Sequence, residues 1–430
     1  MLFEVLKWVV VTIVIAYAVE LCFYRGGDEP SVQGKLNEMK KMSANQSSGN
    51  SIKRFRANFL DGWERGGAAF VVYHNGKKVV DLWGGHADKE SKRLWKKDTL
   101  NVAFSSTKAV AAICVAQLVD QGRLAYDDLV TKFWPEFGRH GKANVTVRWL
   151  LGHRVSSEWR RIGLDIASDW RAIAKVFEEQ IPNWPPGCEV GYHAITYGWL
   201  VDQVVRRTDP KKRSVGVFFK EEIAEKYNLD FHIGLPRCES YRVSRLTLPS
   251  GWNFLQEYLH KPSDFNILRF VHQMLTGGLL FKVGENVPWI AFVKDMTLNN
   301  PDLFEIEQAG VLGIGTARAM AELFERLRAG ELLSEKTFKE LTSDYILRKD
   351  VVTGAFVPRG QGLMIKSFRH ENETFELLGH SGYGGQNVRI DLKNGLTFAY
   401  MSNGLKVGFG DTARTYIRLL HALYDVVIAK

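Results

Sequence analysis

The sequence predicts an α+β fold, in which one antiparallel sheet is assembled from both ends of the chain, with flanking helices and a mostly helical lobe inserted between its halves. Three observations lead there. The first β-rich runs, Ala68 to Tyr73 and Lys78 to Trp83, are joined through Asn75-Gly76, a dipeptide suited to a type I′ hairpin turn, whose two central residues need positive φ. The last such runs, Gln386 to Leu392 and Leu396 to Met401, flank Asn394-Gly395. Between them, from Ala109 to about Ser343, the apolar residues recur mainly with helical period. Strands at both ends with helices between require the two ends to meet in one sheet.

Taken in chain order, residues 1–24 form a hydrophobic segment. Trp8 to Val19 is apolar apart from Thr12, and Leu21 to Tyr24 resumes the run after Glu20. The stretch has about the length of a membrane-spanning helix, so it reads as a signal anchor, or as a signal peptide cleaved near Ala16-Tyr17-Ala18. Residues 25–51 are poor in apolar side chains and read as a flexible linker, leaving residues 52–430 as the folded domain. Within it, Ala109 to Leu118 is a buried helix closed by Gly122, and Ile195 to Val205 is a second helix. A last helix, Thr412 to Val427, starts at Asp411, a residue type that caps helix N-termini. The sequons at Asn45, Asn144 and Asn372, with the leader, point to a lumenal or extracellular catalytic domain on a single-pass membrane anchor, or to a secreted one.

Composition sets limits on function. With 45% hydrophobic and 12% aromatic residues the chain can bury a large core. The net charge of +9 is spread over short groups such as Lys77-Lys78 and Lys96-Lys97, interspersed with acids and with no accompanying motif, so no nucleic-acid partner is expected. Cys22, Cys114, Cys188 and Cys238 have no metal-ligand spacing. His370-Glu371 lacks the second histidine of a zinc protease, and Gly313-Ile314-Gly315 lacks the third glycine and preceding strand of a phosphate loop. No metal and no organic cofactor is expected.

Chemistry concentrates in three short strings. Ser105-Ser106-Thr107-Lys108 precedes the buried helix and is the only Ser-x-x-Lys in the chain. Residues three apart at a helix start lie on one face, so the lysine amine can meet the serine hydroxyl. A desolvated lysine helps to take the proton of an otherwise poor nucleophile. Gly191-Tyr192-His193-Ala194 places a tyrosine on a loop just before the second helix, and Gly379-His380-Ser381-Gly382-Tyr383-Gly384-Gly385 leads into a closing strand. That last string misses the Gly-x-Ser-x-Gly elbow, because its fifth residue is tyrosine and the strand-to-helix context is absent.

In order and flanking sequence these strings resemble those of the serine β-lactamase and penicillin-binding protein superfamily. The likeness is greatest to class C β-lactamases, the carboxylesterases that share their fold, and animal β-lactamase domain-containing proteins. It extends over Gly122 to Asp128, Val145 to His153 and Gly313 to Leu323, and is weakest over Asp209 to Pro301, which reads as a covering over the cleft. The resemblance implies a β-lactamase/transpeptidase-like fold with its active site between two lobes. It implies Ser105 as nucleophile, Lys108 as helper in removing its proton, Tyr192 as proton relay, and His380 beside Tyr192 or the substrate. It further implies an oxyanion hole from the backbone N–H groups of Ser105 and Tyr383, with Gly382 giving the ligand access to that strand. A phenol acting near neutrality needs a nearby cation, which Lys108 is expected to supply.

Two departures bear on substrate. Ala194 stands where many relatives carry asparagine, and His380-Ser381-Gly382 replaces Lys-Thr-Gly, so an amide contact and a fixed cation are both missing. Esters or small amides of a small molecule or lipid are therefore expected over β-lactams. The alternative is a catalytically weak scaffold that self-assembles as a homo-oligomer.

Overall fold

A computed structural model describes residues 46–155, 161–260, 272, 275–291, 295–407 and 410–428. The first element is helix α1, Gln46–Leu60, so helical chain begins inside the segment read as linker. Its buried face carries Ser51, Phe55 and Asn58, and Asn58 Nδ2 donates to Thr415 O at 2.9 Å. A partner so distant in sequence is invisible to local composition.

The hairpin follows as β1 (Gly67–His74) and β2 (Lys77–Asp88), with φ of 48° at Asn75 and 82° at Gly76, as the type I′ turn requires. After β3 (Arg93–Leu94) and β4 (Asn101–Val102) comes α2, Thr107–Asp120. Its residues from Thr107 to Ala116 are all buried, which is why its sequence is apolar all round. Gly122, at φ 69°, ends it: Gly122 N–H donates to Val119 O and Arg123 N–H to Leu118 O, both at 2.9 Å. The lobe continues through α3 (Val147–Leu151), α4 (Tyr197–Thr208), β5 (Phe231–Ile233), β6 (Gly313–Gly315) and α5 (Ala317–Arg328). The chain returns as β7 (Met364–His370), β8 (Glu373–Ser381), β9 (Asn387–Asp391), β10 (Leu396–Ser402) and α6 (Arg414–Ile428).

The main sheet has seven strands in the order β3-β2-β1-β10-β9-β8-β7. Its centre is the antiparallel pair β1 and β10, with Phe70 opposite Tyr400, so the two ends of the chain do meet in one sheet. One face packs against α1 and α6 through Phe55, Phe70, Phe398, Tyr416 and Leu420; the other packs against α5 and the helical lobe.

Four points add to or correct the expectations. The helical middle also contains a second sheet, β4-β6-β5. Its central strand is Gly313-Ile314-Gly315, and a Cβ on Gly313 would lie 2.5 Å from Thr107 Oγ1, so the glycine there serves close packing on α2. The second Asn-Gly turn is not a two-residue hairpin: Leu392 to Gly395 lie between the strands and only Gly395 has positive φ. Asn75 N–H donates to Gly395 O at 2.8 Å, so the two turns lean on each other. Asp411 does not cap the last helix, because its carboxylate accepts two 2.7 Å bonds from the fully buried Arg389 and charge pairing overrides capping.

The fourth concerns the membrane. The segment 1–24 lies outside the described residues. Among the described residues no helix is long and apolar enough to cross a membrane. A span needs about 20 apolar residues, whereas α1 and α6 have 15 each and carry polar faces. The expected membrane-anchored location thus finds no spanning helix among the described residues.

Candidate active site

Ser105 sits in a 3₁₀ turn, Phe104–Ser106, that runs directly into α2. Phe104 holds φ at +46°, a conformation uncommon for a bulky residue, and the surrounding bonds enforce it. Ala103 N–H donates to Gly313 O at 2.8 Å, Gly313 N–H donates to Thr107 Oγ1 at 3.0 Å, and Ser106 Oγ donates to His380 O at 3.3 Å. The turn is thus bolted to β6 and β8.

One helical turn on, Lys108 is completely buried, with Nζ 3.2 Å from Ser105 Oγ and 2.7 Å from both Ala194 O and Gly310 O. Burial, and then the charge of Arg359, hold its pKa well below the ordinary lysine range. A neutral amine has two N–H groups and one lone pair. With its hydrogens on the two carbonyls the uncharged amine would turn its lone pair to Ser105 Oγ, whereas the ammonium donates to all three oxygens. The expected cation at Lys108 is thus opposed by desolvation, which shifts the group towards its uncharged form.

Tyr192 lies on a loop held at two points, by Gly191 N–H donating to His153 O and Val351 N–H donating to Val190 O, both at 2.9 Å. Its hydroxyl is hydrogen-bonded to Ser105, and its ring centroid is 5.0 Å from Lys108 Nζ. Burial pushes the phenol up to about 12, with the Ser105 bond and Arg359 pulling the other way. The cation next to it is Arg359, whose guanidinium carbon is 4.6 Å from the ring centroid. Arg359 is itself buried and paired with buried Asp350 at 3.1 Å. Sequence reasoning missed this pair, because residues 344–363 are irregular chain with no motif around them.

His380, at the end of β8, is buried with its ring centroid 6.4 Å from that of Tyr192. Its Nδ1 is 2.6 Å from Ser381 O. A carbonyl only accepts, so Nδ1 carries the hydrogen and Nε2 is the bare nitrogen; it has no hydrogen-bond partner among the described residues. Burial first, then Lys108, hold His380 well below the usual histidine range. His193 is fixed by its neighbours, its N–H donating to His153 Nδ1 at 3.1 Å and its own Nδ1 2.7 Å from Gly191 O. His153, also missed, has φ +62° and packs its ring 5.0 Å from Tyr192.

The third string contributes backbone. Gly382 N–H donates to Gln386 O at 2.7 Å, and a Cβ on Gly382 would sit 2.5 Å from Ala103 O and 2.9 Å from Gln386 Cβ. Its glycine character thus lets β8 approach the nucleophile turn, while its N–H is committed within the strand's own turn. Tyr383 packs its ring 5.6 Å from that of Phe104. The structure therefore brings Ser105, Lys108, Tyr192 and His380 together, with Gly382 and Tyr383 against the Phe104–Ser106 turn. Among the described residues no group of three or more His, Cys, Asp or Glu is arranged to hold a metal ion.

The chain is similar to known proteins over most of its length. The esterase/β-lactamase LipL of Mycobacterium tuberculosis is 28% identical over 372 residues, covering 82% of this chain and 81% of its own. A penicillin-binding protein homologue from Caulobacter crescentus superposes with a TM-score of 0.74 at 32% identity, over 89% of this chain and 98% of that one. A family VIII carboxylesterase does so with a TM-score of 0.75 at 29% identity, over the same shares. The β-lactamase family model matches residues 55–422, and the chain belongs to that family.

Proposed function

We propose that this protein is a serine hydrolase of the esterase or amidase type, with Ser105 forming the acyl-enzyme, Lys108 acting as base and Tyr192 as proton relay. The observation that carries the reading is the buried Lys108 Nζ, 3.2 Å from Ser105 Oγ and shifted by burial towards the uncharged form that can take a proton. In acylation the Ser105 proton passes to Lys108 Nζ as Oγ bonds to the substrate carbonyl carbon. The oxyanion is met by the N–H groups of Ser105 and Tyr383. Tyr192, protonated with a pKa near 12, gives its hydrogen to the leaving oxygen or nitrogen and recovers one from the Lys108 ammonium. Arg359 stabilises the transient phenolate. Water then attacks the acyl carbon, losing its proton along the same path in reverse.

A substrate ester or small amide suits the site better than a β-lactam. Ala194 offers a methyl group where an amide would hold a lactam side chain, and His380 is neutral where a lysine would hold a carboxylate. Similarity to a carboxylesterase supports the ester reading, while LipL is an esterase and a β-lactamase alike. The test is turnover of a p-nitrophenyl acyl ester beside a chromogenic cephalosporin, with fluorophosphonate labelling of the wild type and Ser105→Ala. Ester turnover exceeding cephalosporin turnover, with labelling lost in Ser105→Ala, is expected. Equal labelling of Ser105→Ala would refute the nucleophile, and large oligomers without Ser105-dependent turnover would favour a scaffold.

His380 gives a second expectation. Because its neutral form is the buried one, an acid limb set by His380 is expected below the ordinary histidine value of about 6.5. His380→Ala is expected to lower kcat by roughly 10²-fold or more if Nε2 shares in proton transfer. His380→Lys is expected to recover part of the rate and shift the limb. An unchanged pH profile in both variants would reduce His380 to a packing residue.

A further inference from the structure

A pocket of about 280 Å³ opens between the chain around α3 and the irregular segment that carries Arg359. Arg148, Arg154, Arg359, Asp344, Tyr345 and Ile346 line it. It holds three guanidinium groups, and their charges are unequally answered. Arg148 gives Nε and Nη2 to Asp127 at 2.8 and 3.0 Å, and Nη1 to Asp344 at 3.0 Å. Arg359 has Asp350, but its Nη1 faces the sulfur of Met364 at 3.6 Å and its Nε has no partner among the described residues.

Arg154 is the outlier. Its Nη2 donates to Gly187 O, its guanidinium lies 5.0 Å from the centroid of Trp149, and its Nε has no partner among the described residues. No carboxylate pairs with it among the described residues. The charge that bears on it is another cation, Arg348, held by Cys188 O at 2.5 Å. Burial and that like charge both depress the Arg154 pKa. A guanidinium so placed is a strong site for a planar or tetrahedral oxyanion, which it meets with paired N–H donors.

We propose that this pocket binds a small oxyanion, a carboxylate or a phosphate group, with Arg154 as its main ligand and Arg359 as its second. The volume admits a group of several heavy atoms, since one water occupies about 30 Å³. Asp344, with its side chain 67% exposed, stands in the wall as the repelling charge that limits affinity. Occupancy reaches the active site through Arg359. An anion there offsets the charge 4.6 Å from the Tyr192 ring, so the transient phenolate loses stabilisation and kcat falls while KM stays. This last consequence rests on the relay role proposed for Tyr192; the binding itself does not.

The test is calorimetry on the whole protein with sodium phosphate and, separately, sodium acetate, at ionic strength fixed with sodium chloride. Saturable binding with a Kd on the order of millimolar is expected, weakened tenfold or more by Arg154→Gln and strengthened by Asp344→Asn. Arg154→Gln is expected to keep its anion-free turnover. A response to phosphate alone, or to acetate alone, assigns the oxyanion. No heat beyond the chloride control for either probe, or undiminished binding in Arg154→Gln, overturns the proposal. If Arg154→Gln does not fold, an unchanged affinity in Asp344→Asn overturns it equally. Binding without any fall in kcat would keep the pocket and refute the coupling through Tyr192.

Discussion

Replacing Lys108 by methionine is expected to lower ester turnover by about 10³–10⁴-fold, because the variant keeps an unbranched buried side chain and loses the base. Among the described residues Lys108 Nζ and Tyr192 are the groups bonded to the Ser105 side chain, and Tyr192, pushed up to about 12, remains a phenol. Lys108→Arg is expected to do no better, as a guanidinium stays charged and cannot accept the proton. The double variant Ser105→Ala/Lys108→Met is expected to be no slower than Ser105→Ala alone, since residues acting as one unit are not additive. Steady-state kinetics on the four variants and the wild type decides it. A Lys108→Met enzyme within tenfold of wild type would remove the amine from the mechanism.

Steep acid unfolding is the second large expectation. His153, His193 and His380 are buried and held below the ordinary histidine value, chiefly by desolvation, with His193 near 3. In the unfolded chain each titrates near about 6.5. A depressed folded pKa means that the unfolded chain binds the proton first as pH falls. Stability is therefore complete above about pH 6.5 and lost below it, down to the folded values. Each group contributes about 1.4 kcal/mol per pH unit within its window, so three acting together give about 4 kcal/mol per unit. A typical stability of about 10 kcal/mol would be consumed within two to three pH units. Urea midpoints measured from pH 7.5 to 4 check this. His193→Gln should flatten the slope by about one proton, and an undiminished slope would sink the assignment for that residue.

The parts of the site legible in the sequence are those whose chemistry fits within a few neighbouring residues. Ser105 and Lys108 are one helical turn apart, and Tyr192 and His380 each stand in a short string with its own glycine. Arg359, Asp350 and His153 belong to the same site, but the fold alone brings them there, from irregular chain without periodicity. The electrostatics were equally hidden, since they depend on burial: desolvation opposes the expected charge on Lys108, and a second cation, Arg359, lies beside the Tyr192 ring. In the fold, the long strands and their closure onto one another followed from alternation and turn chemistry. Strands of two or three residues, such as β4, β5 and β6, have too few positions to show a period. Asp411 was misread because a helix cap and an ion-pair partner are the same residue type until Arg389 is placed beside it.

The closure of the sheet has a consequence for the life of the polypeptide. Ser402 and Glu64, joined across the centre of the sheet, are 338 residues apart in sequence. Such remote pairing is slow, because loop-closure entropy is met before the contact rewards it. During synthesis the nucleophile turn emerges long before β8, which must lie against it, and β10 follows later still. A ribosome-bound chain therefore carries Ser105 without the strand that completes its site. Its first hairpin meanwhile presents the β1 edge unpaired, an edge open to association until the last strand arrives. Completion of the site and protection of the edge thus both come late and in that order, first with β8 and then with β10.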